Sequence, residues 1–260
     1  LENGFLIIKE DESYSSPIAT VFYEYYEDAR LLKNKLEADS DKIQCIVSNG
    51  FIANEIAFGE VQKWFYMCQP DSTEMAAERA KRQAVFDFAL PDMNPVALEE
   101  TPIEWTNSLD QFVESGVCEM VGVTTLQSDW MFENHSTTFQ KIIMVGVHHE
   151  YEEIKHAPEF RAGIEVVRQY GRAAAAAKKI TGWLMEQGWD AEALTGPMAG
   201  KVVMIPPALE CGFGELGKHG SLINPEFGSS FRLAAILTNA PFADTPKREF
   251  GIDDFCSKCF

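Results

Sequence analysis

A mixed α/β fold is what three stretches of this sequence predict. Residues 140–149, QKIIMVGVHH, form an uninterrupted apolar run of strand length that ends in polar residues, the pattern of a strand buried on both faces. From about Pro158 to Gly188, apolar and small residues return at helical spacing. Residues 231–242, FRLAAILTNAPF, supply a further strand near the end of the chain.

The elements follow in order. Residues 1–70 mix short apolar runs, GFLIIKE, ATVFYEYY, IQCIV and KWFYMC, with charged spacers. YYEDARLLKNKLEAD puts Ala29, Leu31, Leu32 and Leu36 on one side of an amphipathic helix. STEMAAERAKRQAVFDFAL opens a second helix, with Ser72 as N-cap and Glu74 in the first turn. Pro91 stops it, and PDMNPVALEETP is a proline-bearing connector. LDQFVESGVCEMVGVTTL reads as a helix leading through Gly116 into an apolar strand. In the long helix Pro158 suits the first turn, and Ile164, Val167, Gly171, Ala174, Ala177, Thr181 and Leu184 make one buried stripe. Its five consecutive alanines permit close packing, against a sheet in the first instance or against a flat ligand. AGKVVMIPP is the expected next strand, and a glycine-rich loop comes after it. The domain division expected is an N-terminal α/β region over 1–110, a core over 111–250 and the beginning of a further module over 251–260.

Composition narrows the partners. With 46% hydrophobic residues the chain can bury a core. Its 40 acidic against 22 basic residues, a net charge of −18, repel phosphate backbones, so nucleic acid is not an expected partner. No apolar stretch is long enough to span a membrane. Cys45, Cys68, Cys118 and Cys211 are dispersed in apolar surroundings, where buried free thiols are the default. Cys256 and Cys259, in a C-x-x-C near the end, stand apart. That spacing suits zinc, redox thiols or the opening of an iron–sulfur run.

Residues 211–232, CGFGELGKHGSLINPEFGSSFR, nearly match two phosphate-binding patterns and satisfy neither. Gly212, Gly214 and Gly217 spell G-x-G-x-x-G, but PPALEC separates them from the preceding strand. On their far side KHGSLINPEFG is too broken by glycine and proline for a helix. Gly212 to Lys218 spell G-x-x-x-x-G-K, but His219 stands where a P-loop carries Ser or Thr. There remains a loop whose main chain can approach a large ligand closely, with Lys218 and Ser221 as added donors. An ordinary multi-turn connector is the plain counterpart of that reading.

Read together, GFGELGKHGSLINPEFGSSFRLAAILTNAPFADTPKREFGIDDFCSKC resembles the corrinoid-dependent reductive dehalogenases. That family shows G-L-G-E-L-G-R/K-x-G-x-L-I-x-P-x-F/Y-G, then an arginine-led R-L/I-A/G strand, then F-G-I/V-x-x-F-C-x-x-C. The match is dense over roughly the last fifty residues and looser back to about residue 120. The resemblance implies a nitroreductase-like α/β core that binds cobalamin base-off, beside a ferredoxin-like module with two 4Fe–4S clusters. It places Gly212, Gly214, Glu215, Gly217, Lys218, His219, Gly220 and Ser221 along the corrin and its nucleotide tail. Cys256 and Cys259 become the first cluster ligands, the chain being read as a fragment cut within the first iron–sulfur motif.

The resemblance also implies an active-site tyrosine on a helix that ends in a glycine–aromatic pair. Tyr170 and Gly188-Trp189 fit that spacing. The implied role is proton donation to the carbon that loses halide. An ordinary phenol titrates near ~10, so a nearby cation is required, and Arg232 or Lys201 is the expected partner. Arg232 matches the family's arginine, while Ser229 and Ser230 stand where a further arginine often precedes it. Arg172 is a further basic neighbour with an equal reading as a solvated helix residue. His148 and His149 are expected to be structural or to line the substrate.

The implied partners are a small organohalide, a halophenol or haloalkene, and an electron donor such as ferredoxin, flavodoxin or a fused reductase. A cytoplasmic, catabolic type is expected over the exported respiratory type. Epoxyqueuosine reductase shares the corrinoid and clusters, but that family carries tryptophan where Glu215 stands, uses an aspartate as acid and must grip tRNA. A non-catalytic corrinoid carrier is the other alternative.

Overall fold

The computed structural model describes residues 7–10, 12, 20–39, 72–132, 134–157, 159–195, 200–218 and 220–258. The chain divides into two compact units, Leu1–Met75 and Ala76–Phe260.

In the first unit β1 (Ile7–Glu10) pairs in parallel with β2 (Thr20–Tyr23). Helix α1 (Ala29–Ala38) follows, capped by the Asp28 carboxylate, which accepts from the Arg30 N–H at 2.7 Å. Helix α2 (Thr73–Asp87) begins at the end of this unit and lies from Ala76 onward in the second; it starts where Ser72 predicts, the Ser72 hydroxyl accepting from the Met75 N–H at 3.3 Å.

The second unit is built on a four-stranded antiparallel sheet, in the order β3 (Met120–Thr125), β4 (Lys141–His148), β8 (Phe231–Thr238), β5 (Ala191–Leu194). Helices α3 (Pro102–Ser108) and α4 (Asp110–Glu114) precede β3. Short α5 (Tyr151–Ile154) follows β4 and leads into α6 (Phe160–Glu186), which agrees closely with the helical pattern read from sequence. Period-two alternation gives the sheet two apolar faces. Ile143, Val145, Ala234 and Ile236 face α6, with Ala173, Ala176, Ala177, Ile180 and Leu184 packed on them and Trp105, Leu109 and Phe112 closing the edge. Ala173, Ala176 and Ala177 of the alanine run therefore serve packing on the sheet. Ile142, Met144, Ala235 and Leu237 face the opposite way, against Val202, Met204, Ala208, Phe213 and Leu222.

Helix α6 ends in a Schellman motif. Gly188 has φ +81°, its N–H donates to Met185 O at 3.0 Å, and the Trp189 N–H donates to Leu184 O at 2.9 Å. A Cβ at Gly188 would meet Val96 O at 2.4 Å, because the proline-bearing connector crosses there and its Leu98 N–H donates to Gln187 O. Glycine is thus required twice over at this point. Trp189 packs edge-on to Trp105, which fixes the helix end to the core.

One expected strand does not form. Among the described residues of AGKVVMIPP only Val202 pairs, through a single bridge to Met131, and Ile205–Glu210 form helix α7. The two prolines stand in the first turn of α7, where the missing N–H groups would be unsatisfied in any case. Two elements went unread. Strand β5 is one; the other is the hairpin of β6 (Glu215–Leu216) and β7 (Leu222–Ile223) inside the glycine loop. Helix α8 (Ile252–Lys258) carries Cys256.

Candidate functional site at the end of the sheet

The site forms where β4 ends and β8 begins. His148 pairs with Phe231 and Val147 with Arg232. Alternation puts Arg232 on the same face as Ala234 and Ile236, towards α6. There its guanidinium carbon lies 4.5 Å from the centroid of the Tyr170 ring. A second arginine reaches the same ring. Arg82 of α2 lies 5.3 Å from the Tyr170 centroid and 5.2 Å from that of Phe86. A cation over an aromatic face contributes about 0.5–1 kcal/mol at exposed sites and about 2 kcal/mol when desolvated.

Three contacts hold α2 against α6. Lys178 Nζ donates to Phe86 O and Phe88 O at 2.6 and 2.7 Å, and Arg168 Nε lies 3.6 Å from Glu78. At Gly171 a Cβ would stand 3.7 Å from the Arg82 Cβ, so the helices approach closely just where Arg82 turns towards Tyr170.

Next to Arg232 is His149, 8% exposed, with no hydrogen-bond partner among the described residues on either ring nitrogen. Burial, reinforced by the Arg232 charge, pushes its imidazole down to about 4 against the opposing pull of Glu165. The ring is therefore neutral near pH 7. Glu165 is fully buried and accepts from the Glu150 N–H, Arg168 Nη1 and Gln169 Nε2 at 2.8, 2.8 and 2.7 Å. Three donors satisfy the carboxylate and fix its orientation.

His148 turns to the other side of the strand end, stacked on Phe227 at 5.3 Å. Its backbone N–H donates to Glu119 at 3.0 Å, and Arg172 donates to the other Glu119 oxygen at 2.7 Å. Burial raises the Glu119 carboxyl, but the Arg172 and His148 hydrogen bonds outweigh it, so it sits below the usual range. Arg172 also donates to Gln169 at 3.0 Å. It is thereby committed to Glu119 and Gln169.

The glycine loop packs on the opposite face of the sheet from Tyr170, through Phe213 and Leu222. Gly214 has an internal reason: a Cβ there would stand 2.1 Å from Ile223 O, across the hairpin. Gly212, at φ +70°, crosses Pro246 and Arg248. Both glycines thus have a folding role in the loop, and Gly212 also lines the groove beside it. The hairpin tip differs. Gly217 donates to Ser221 O and Gly220 to Gly217 O, closing the turn. Lys218, Gly220 and Ser221 are exposed, with nothing within 4 Å of a Cβ at Gly220. Glu215 accepts from the Ile252 N–H at 2.8 Å and so ties the hairpin to the cysteine-bearing α8. Asn224 braces the return of the loop, donating to Phe213 O and accepting from the Glu226 and Phe227 N–H groups. A groove of about 460 Å³ runs beside it, lined among others by Glu119, Phe213, Asn224, Phe227 and Arg248. The two faces meet at the sheet end, where the His149 N–H donates to Ser230 O at 2.9 Å.

Lys201 is paired with Glu192 at 2.9 Å. Glu192 sits opposite Leu237, whose side chain faces away from α6, so the structure brings Arg232 rather than Lys201 to Tyr170. Cys118 and Cys211 are buried free thiols; burial pushes Cys118 up to about 12 and Cys211 upward as well. Cys256 is half-buried. His219, Cys259, Cys45 and Cys68 lie outside the described residues. Among the described residues no group of three or more His, Cys, Asp or Glu is disposed to hold a metal, and no helix is long and apolar enough to cross a membrane.

Sequence reasoning missed Arg82 and Glu119. Arg82 lies in an unremarkable polar helix far from every motif, and no local signal marks it.

No protein-family profile matches the chain. Over 152 residues, 58% of the chain, it is 32% identical to the tetrachloroethene reductive dehalogenases of Desulfitobacterium hafniense and Dehalobacter restrictus. The match covers 27% of those proteins' length, so the chain spans about a quarter of these curated relatives. Among solved structures, a catabolic reductive dehalogenase superposes with a TM-score of 0.63 at 16% identity, over 71% of this chain and 29% of that one. A second, from a study of B12-dependent dehalogenation, gives 0.57 at 19% identity, over 70% and 27%.

Proposed function

We propose that this chain, a relative of the reductive dehalogenases in sequence and fold, is the substrate-handling core of an oxidoreductase that removes halide from a small organohalide. The observation that carries the proposal is the Tyr170–Arg232 pair at the end of the sheet, on the residues the family resemblance singles out.

Replacing a carbon–halogen bond by carbon–hydrogen consumes two electrons and one proton and releases halide. Tyr170 supplies the proton from its phenol O–H to the carbon that loses the halide. Arg232, over the ring, holds the tyrosine in place and balances the negative charge left on it.

A bound corrinoid would supply the electron pair that breaks the carbon–halogen bond. The residues present fit its polar edge at the hairpin tip, where exposed Lys218, Ser221 and the open face of Gly220 would hold it. Cys256 and Cys259 would each supply a thiolate to a 4Fe–4S cluster, and Glu215 links the helix of Cys256 to the hairpin. Electrons would arrive from a ferredoxin, a flavodoxin or a fused reductase.

The fragment by itself is expected to be inactive, so the test is to load the full-length protein, with its iron–sulfur clusters, with cobalamin under reducing conditions, present a bromophenol and measure bromide by ion chromatography. Tyr170→Phe should lower bromide release about 100-fold or more while cobalamin uptake stays the same. Unchanged release in that variant, or no cobalamin uptake by the wild type, overturns the proposal.

A further inference from the structure

Charge bookkeeping singles out a second property of the Tyr170 cluster. In a chain with 40 acidic and 22 basic residues, a half-buried arginine ordinarily finds a carboxylate. Arg168 and Arg172 both do. Arg82 and Arg232 do not, and they are the two arginines among the described residues whose Nε is buried with no partner. Both meet the same tyrosine ring. His149, with two unpartnered ring nitrogens, stands beside Arg232. Two buried carboxylates are already committed: Glu165 to Glu150, Arg168 and Gln169, and Glu78, one turn before Arg82, to Lys81 and Arg168. Among the described residues, two guanidinium groups that meet one tyrosine ring and a neighbouring imidazole are thus left with unpartnered nitrogens and no acid to meet them.

We propose that Arg82, Arg232 and His149 form a binding site for a small monovalent anion beside Tyr170. A buried donor without an acceptor costs about 1–3 kcal/mol, and an anion satisfies several of them at once with charge-assisted hydrogen bonds. Arg82 also supplies, from α2, a second positive charge at the site where the sequence has Ser229 and Ser230 ahead of Arg232. The anion has two sources under the function proposed above, on which this assignment of origin rests: halide released from the substrate, or a carboxylate or phenolate oxygen of the substrate itself.

Binding is measured without cobalamin, so its outcome is separate from that of the dehalogenase reading. Chloride and benzoate are titrated calorimetrically into the protein at constant ionic strength, set with gluconate. The comparison set is wild type, Arg82→Gln, Arg82→Lys and, as an exposed basic control on α6, Lys179→Gln. Wild type and Lys179→Gln should bind at least one of the two anions equally well. Arg82→Gln should bind it roughly tenfold more weakly, and Arg82→Lys, which keeps the charge but loses Nε, should fall between. Circular-dichroism melts establish that the variants are folded, and Arg82→Lys carries the comparison should Arg82→Gln unfold. Chloride binding identifies the halide source, and benzoate binding without chloride binding identifies the substrate oxyanion. Binding of neither anion by wild type, or binding that both Arg82 variants leave unchanged, overturns the site.

Discussion

A histidine with no partner on either ring nitrogen is costly to bury, and the cost sets a pH dependence. The unfolded imidazole takes up its proton near ~6.5, whereas His149 in the fold does so only at about 4. Between those values the unfolded state binds more protons, so stability rises with pH and is lost as pH falls from about 6.5 towards 4. Arg232 and His148 act with burial to depress this imidazole, and Glu165 acts against them. The loss should be on the order of 2 kcal/mol across the window. Urea unfolding at pH 4.5 and 7 checks it: His149→Phe should lose distinctly less stability than wild type over that interval, and equal losses would remove His149 as the cause. At this scale the sequence was readable where a motif pointed. Tyr170 and Arg232 stand on matching patterns and meet in space. Lys201 was chosen for its place in the chain, but chain order does not determine which face of a sheet a side chain takes. Arg82 was invisible because an arginine in a polar helix looks the same whether it faces water or a tyrosine.

Helix α6 shows how an element becomes legible. Its small and apolar positions repeat for 27 residues, so errors at single positions average out, and the ends fell within two residues of expectation. AGKVVMIPP shows the converse. A short apolar run carries no period, and two prolines suit a first helical turn as well as they end a strand. The β6–β7 hairpin was hidden by its two-residue strands, too short for alternation to register. The alanine stripe allows a prediction of its own. Ala177 is fully buried against the sheet, whereas Ala175, two residues earlier, is exposed. Ala177→Leu forces extra methylene groups into a filled interface and should cost about 1–3 kcal/mol. Ala175→Leu should change stability by less than about 0.5 kcal/mol. Paired thermal melts distinguish them, and similar effects of the two would mean that α6 does not lie flush on β4 and β8 as described.

Over the whole molecule the dominant electrostatic fact is the excess of eighteen negative charges. Ion pairs such as Lys247–Glu210 sit at the surface, where each contributes about 0–1 kcal/mol. With 40 acids against 22 bases at least eighteen carboxylates have no cation to neutralise them, so repulsion accumulates and falls when salt shortens the screening length. Two opposite trends therefore compete: salt weakens the exposed pairs but relieves the net repulsion. With 40 acids against 22 bases the second prevails. Raising sodium gluconate from about 0.02 to 0.5 M should raise Tm by a few degrees, roughly the shift that 1 kcal/mol produces in a chain of this size. Gluconate is the informative salt, because chloride adds whatever stabilisation the Arg82–Arg232 site contributes by binding. A gluconate series run beside a chloride series thus separates general screening from specific occupancy. A Tm that falls with gluconate would show that the paired charges outweigh the unpaired excess, reversing the electrostatic balance inferred for this chain.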